Sequence, residues 1–163
     1  MRSFMEQNNT LPEWNDKFSV NVDVIDEDHQ AFFRLAALMQ DVISSPSNEQ
    51  TYLIETAINI LEEYIEGHFL REQLAMAKID YPQLAEHISA HDAFDDRVTL
   101  LIKEYRTNHD LTTILALARL VADWLTQHIQ GVDLQYKGLL TNENVDNRAL
   151  VYLAAGLDPV FAP

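Results

Sequence analysis

Between Asp26 and Gly131 apolar residues recur at helical spacing in four runs, and only short breaks separate one run from the next. The first helix is expected to begin near Asp26, where acidic residues suit a first turn. Its stripe reads Ile25, His29, Phe32, Ala36, Met39 and Ile43, and Ser44-Ser45-Pro46-Ser47-Asn48 ends it. The second runs from about Glu49 to Lys78, with an inward row of Ala57, Leu61, Ile65, His68 and Glu72 interleaved with Ile54, Ile58 and Leu74. Gly67 interrupts this helix at a cost in propensity. Pro82 fits the first position of a third helix, which carries Leu84, His87, His91, Phe94, Val98, Leu101 and Tyr105 to about Thr107. Asp110 can cap the fourth, which places Ile114, Leu117, Val121, Trp124 and His128 on one side and stops near Gly131.

Connections this short make successive helices alternate in direction, so the expected fold is all-α: an up-down-up-down antiparallel four-helix bundle. Only 4 glycines and 5 prolines in 163 residues agree with long helices, and a 47% hydrophobic content is enough for one such core. Leu11 to Val24 has no helical period and reads as an irregular arm laid across the domain by Trp14, Phe18 and Val20. Residues 12–140 are taken as the bundle and 141–163 as a tail, with a short helix around Val145 to Ala155.

The alternation has a chemical consequence. His29, His87 and His91 lie near the starts of helices one and three, while His68 and His128 lie near the ends of helices two and four. All five therefore meet at one end of the bundle, with Glu72 one turn past His68 and Asp133 just beyond His128. His68 and Glu72 are four residues apart, as are His87 and His91, so each pair projects from one helix face. Imidazoles crowded on an apolar seam are costly without partners, and a shared metal supplies them. Nitrogen and carboxylate donors together suit iron, zinc, copper or manganese, and seven ligands are too many for one ion. A structural zinc site is the plainest alternative, because affinity order alone favours zinc over ferrous iron. His109, beside Asp110, falls at the opposite end and is expected to face solvent or cap a helix.

Other chemistries are excluded by composition. With no cysteine there can be no disulfide, thiolate cluster or thiol nucleophile. The formal charge of -15, from 26 acidic against 11 basic residues, makes nucleic acid and anionic membrane poor partners. No run reaches the roughly 18 apolar residues of a membrane span, and Met1 to Leu11 lacks the form of a signal peptide, so a soluble cytoplasmic protein is expected. No Ser-His-Asp elbow, phosphate-cradling loop or His-Glu-x-x-His motif supports a hydrolase or nucleotide enzyme.

The segments Ile25-Asp26-Glu27-Asp28-His29, His68-Phe69-Leu70-Arg71-Glu72, His87-Ile88-Ser89-Ala90-His91 and Trp124-Leu125-Thr126-Gln127-His128-Ile129-Gln130-Gly131-Val132-Asp133 together resemble the hemerythrin pattern. The likeness covers about Pro12 to Leu140, with every ligand position filled. It implies two iron ions joined by an oxo or hydroxo bridge, one held by His87, His91 and His128, the other by His29 and His68, and both bridged by Glu72 and Asp133. It implies an open position for dioxygen on the two-histidine iron, walled by Trp124, Leu125, Ile129 and Phe94. Gln73 stands where family members often carry a second glutamate, and the tail lies beyond the family's usual end. Bacterial members occur alone or joined to signalling modules.

The expected function is reversible dioxygen binding for storage or delivery, without enzymatic turnover. Two carboxylates leave the centre more positive than a carboxylate-rich diiron enzyme, which disfavours highly oxidised iron. The alternatives are an oxygen or redox sensor that signals to a protein partner through the tail, and a diiron enzyme acting on peroxide, nitric oxide or oxygen.

Overall fold

The computed structural model describes residues 10–157. Four long helices make up its body: α1 (Asp23–Val42), α2 (Ser47–Lys78), α3 (Leu84–Asn108) and α4 (Leu111–Gly131). A fifth, α5, is short (Leu150–Ala154), and 3-10 turns at Asp16–Phe18 and Asp133–Gln135 flank the bundle. Each long helix packs on the next and α4 closes against α1, which is the antiparallel bundle expected from the short connections. No strand occurs among the described residues.

The helix boundaries follow from local chemistry. The α1 helix starts three residues ahead of the Asp26 expected, after Val22 and with no side-chain cap, so that Asp23 and Asp26 both fall in its first turn. From inside that turn the Asp26 carboxylate accepts the Val20 N–H at 2.9 Å and the Ser19 hydroxyl at 2.6 Å, clasping the arm onto the helix. The arm itself is anchored where its aromatics fall. Trp14 meets Phe18 edge-on with ring centroids 5.9 Å apart, and Phe18 stacks on Phe33 at 5.8 Å. At α4 the cap is the residue expected, since Asp110 accepts the Thr112 N–H at 2.8 Å. Pro82 stands ahead of α3, which begins at Leu84. His109 closes α3 in the left-handed region with φ 52° and is exposed, at the end remote from the other histidines.

Two apolar clusters partition the interior. The larger fills the bundle and includes Phe32, Ile58, Leu61, Phe94, Ile114 and Leu117; the smaller closes one end with Val20, Val22, Ile25, Met76, Tyr81 and Tyr136. The expected inward position of Leu74 does not hold, for its side chain is half-exposed. The buried work at that level of α2 is done by its neighbours Ala75 and Met76, on the face turned toward the smaller cluster.

Gly67 does not break α2. A Cβ at this position would stand 2.8 Å from the Leu150 carbonyl oxygen and 3.0 Å from the Leu150 Cβ, so the missing side chain is what lets α5 lie against α2. The segment after Leu140 is thus packed on the bundle as far as it is described.

Candidate metal centre

Polar burial is concentrated in one place. The buried polar or charged residues among those described are Asp28, His29, His68, Arg71, Glu72, His87, His91, Thr113, His128 and Asp133, and all except Thr113 sit together between the two apolar clusters. Their charges are shut off from water on every side, so each depends on its neighbours.

The seven side chains singled out from the sequence converge, and every imidazole presents Nε2 to the centre. One group gathers around Glu72 Oε2, with His87 Nε2 at 3.3 Å, His91 Nε2 at 3.2 Å and His128 completing the set. The His128 Nε2 lies 3.2 Å from that of His91 and 3.3 Å from that of His87. The other group is His29, His68 and Glu72, with His29 Nε2 at 3.8 Å from Oε1 and His68 Nε2 at 3.7 Å from Oε2. Glu72 belongs to both groups.

Asp133 divides in the same way. Its Oδ2 faces His29 Nε2 at 3.4 Å, while Oδ1 faces His87 Nε2 at 3.3 Å and His128 Nε2 at 3.0 Å. Both of its oxygens nevertheless lack an aligned hydrogen bond, as do both ring nitrogens of His29. Leaving such groups buried and unbonded costs about 1–3 kcal/mol each. Electron-pair acceptors at the centre would satisfy the two Asp133 oxygens and His29 Nε2, which face it, with donors of a kind that borderline divalent ions accept. The residues present therefore fit a pair of metal ions sharing two carboxylates.

Electrostatics agree with a cluster built for cations. Burial works to discharge His87, but the Asp133 and Glu72 carboxylates outweigh it and hold the imidazole's pKa up at about 9. His91 is pushed down to about 4, chiefly by burial. Glu72 and Asp133 stay ionised well below the usual carboxylate range despite burial, because imidazoles surround them.

Outside this ring lies a second layer, of which the sequence singled out only Gln73. Asp28 Oδ2 faces His68 Nδ1 at 3.1 Å and accepts from Arg71 Nε at 2.8 Å. The Tyr136 hydroxyl donates to Glu72 Oε1, and its ring lies against His87 with centroids 5.9 Å apart. The Gln73 side-chain amide stands 3.2 Å from His91 Nδ1, so this departure from the family's usual residue touches the site directly. Each lies within a few residues of a residue named from the sequence, which is the trace that could have drawn attention to it.

An apolar hollow adjoins both groups. It is lined by Phe32, Phe69, Phe94, Val121, Trp124 and Leu125 and has no room for a water molecule. Phe69 stacks on His91 with centroids 3.7 Å apart and also approaches His68 at 5.9 Å, while Trp124 stacks on His128 at 4.2 Å. Of the four pocket residues expected, Phe94, Trp124 and Leu125 line this hollow. Ile129 is fully buried nearby in the same cluster but outside the lining.

Comparison with known proteins gives a consistent answer. The family model described as the hemerythrin HHE cation binding domain matches residues 20–140. A bacteriohemerythrin from Clostridium acetobutylicum is 31% identical over 76% of this chain and 96% of its own length. A myohemerythrin from Riftia pachyptila is 32% identical over 78% of the chain and 92% of its own. A bacteriohemerythrin from Stenotrophomonas maltophilia is 26% identical over 76% and 77%. No solved structure matches. With the family model covering most of the bundle and the donor set grouped around two shared carboxylates, the chain belongs to the hemerythrin family.

Proposed function

We propose that the protein binds dioxygen reversibly at a diiron centre, as a carrier, store or source of delivery, and that it is not an enzyme. The observation that carries this reading is the unequal division of the imidazoles: three gather with Glu72 on one side and two on the other. In this assignment His87, His91 and His128 would hold one iron and His29 and His68 the second, with Glu72 and Asp133 shared between them. Two ferrous ions held there would supply the two electrons that reversible dioxygen binding draws on, and the side with only two imidazoles would be the one left open to the gas.

The chain's own residues perform the remaining tasks. Asp28 at His68 Nδ1 keeps a proton there, leaving Nε2 unprotonated toward the metal. For His91 to donate Nε2 its Nδ1 must carry the proton, and the Gln73 amide then turns its oxygen to accept it. Phe94, Trp124 and Leu125, together with Phe32 and Phe69, line an apolar hollow beside the centre with no room for water. Ile129 backs that wall from within the core.

No described helix is long and apolar enough to cross a membrane. With an acidic surface that disfavours nucleic acid, we place the protein in the cytoplasm. An oxygen electrode with added reductant separates binding from turnover. Uptake by the iron-loaded protein should stop at one dioxygen per chain. Continued consumption above the rate of free iron would assign the site to an oxidase, and matching assays with peroxide or nitric oxide extend the comparison.

A further inference from the structure

We propose that Arg71 is a positioning residue for the two-histidine side of the metal centre, and that the docked C-terminal segment governs it. This rests on the diiron reading above and adds a control element that the family-matched region, which ends at residue 140, does not contain.

Arg71 stands between His68 and Glu72 in sequence, yet its side chain leaves the centre and runs outward within the protein. The guanidinium is buried, and a buried cation is tolerated only with partners. Its Nε donates to Asp28 Oδ2 at 2.8 Å, and its Nη1 donates to the backbone carbonyl of Asp146. The same Asp28 oxygen lies 3.1 Å from His68 Nδ1. A continuous chain of polar contacts therefore joins the tail's backbone to an imidazole of the centre: Asp146, Arg71, Asp28, His68.

The tail is built to offer that carbonyl. The Asp146 carboxylate takes the Arg148 Nε at 3.0 Å and Nη2 at 2.7 Å and the Arg148 backbone N–H at 3.0 Å, and Arg148 Nη1 reaches the Leu157 carbonyl at 3.1 Å. At the other end Asn142 accepts the Asp23 N–H at 2.8 Å and donates to the Asp23 carboxylate at 3.2 Å, fixing the tail to the start of α1. Leu150 settles into the space that Gly67 leaves on α2, one residue before His68. The segment thus holds both helices that supply the two-histidine side.

The physical consequence is a two-way coupling. Docking orders Arg71, Arg71 holds the Asp28 carboxylate, and Asp28 holds the His68 ring in the orientation and tautomer that a metal needs. By linkage, filling the centre must tighten the tail to the same degree that the tail tightens the centre. Without the Asp146 carbonyl, Arg71 would turn toward solvent and leave Asp28 to swing away from His68.

The test uses the full chain, loaded with ferrous iron under argon or left metal-free. Iron affinity is read by chelator competition, and tail protection by hydrogen exchange of residues 145–157. In the wild type, iron should slow exchange in the tail several-fold. Arg71→Met should weaken one of the two irons by about 10–100-fold and remove the effect of iron on the tail, with Arg71→Lys recovering part of both. Gly67→Ala, which favours the helix while obstructing Leu150, should loosen the tail and weaken the same iron; with Arg71→Lys it carries the test if Arg71→Met does not fold. Two irons bound at wild-type affinity in these variants, or tail exchange in the wild type indifferent to iron, would overturn the inference alone. A wild-type chain that takes up no iron would overturn the diiron reading and the inference with it.

Discussion

At the scale of single residues, Tyr136 shows how the centre's charge is kept in place. Burial and the nearby Asp133 and Glu72 carboxylates push its phenol well above the ordinary tyrosine range, so it remains a proton donor at any pH the protein meets. Its bond to Glu72 pins the carboxylate shared by the two histidine groups. Tyr136→Phe should leave that oxygen without a donor and weaken iron binding by about 10-fold or more in chelator competition; unchanged affinity would show that Glu72 is held by other means. The inward histidines, Glu72 and Asp133 were legible in the sequence because helical spacing and alternation put them at one end of the bundle. Tyr136 and Asp28 were not, since a lone tyrosine and one aspartate in an acidic run carry no periodic mark. Only the folded chain shows that one approaches Glu72 and the other His68.

At the scale of helices, spacing predicted each long element, while the ends depended on contacts that no local pattern encodes. Asp110 was identifiable as a cap because its side chain bonds two residues ahead in its own chain. Asp110→Ala should remove that cap and lower Tm by about 2–4 °C, with the metal centre at the far end of α4 unaffected. Asp26, by contrast, reaches back to Ser19 and Val20 across the arm from inside the first turn of α1. Gly67 looked like a defect in α2 for a related reason. Its role depends on Leu150, which lies far along the chain, and propensity weighs only the local backbone. The exposure of Leu74 belongs with these: an apolar residue between two inward stripes takes the face its neighbours leave, and here that face borders the tail.

At the scale of the whole molecule, two apolar clusters enclose a polar centre, and the tail binds the outside of the same two helices that feed one half of it. The bundle was readable from composition and period because it is built from repeated local rules. The tail's placement was not, since its contacts with Gly67, Arg71 and Asp23 join residues far apart in the chain. In the proposed function, the division of the centre into three histidines and two is what ties the architecture to oxygen. The most direct measurement of it is the visible absorption of the ferrous, iron-loaded protein, with two irons counted per chain, cycled between air and argon. A colour that develops in oxygen and bleaches again under argon over repeated cycles is the predicted result. Irreversible oxidation in the first cycle, or no colour at two irons per chain, would contradict it.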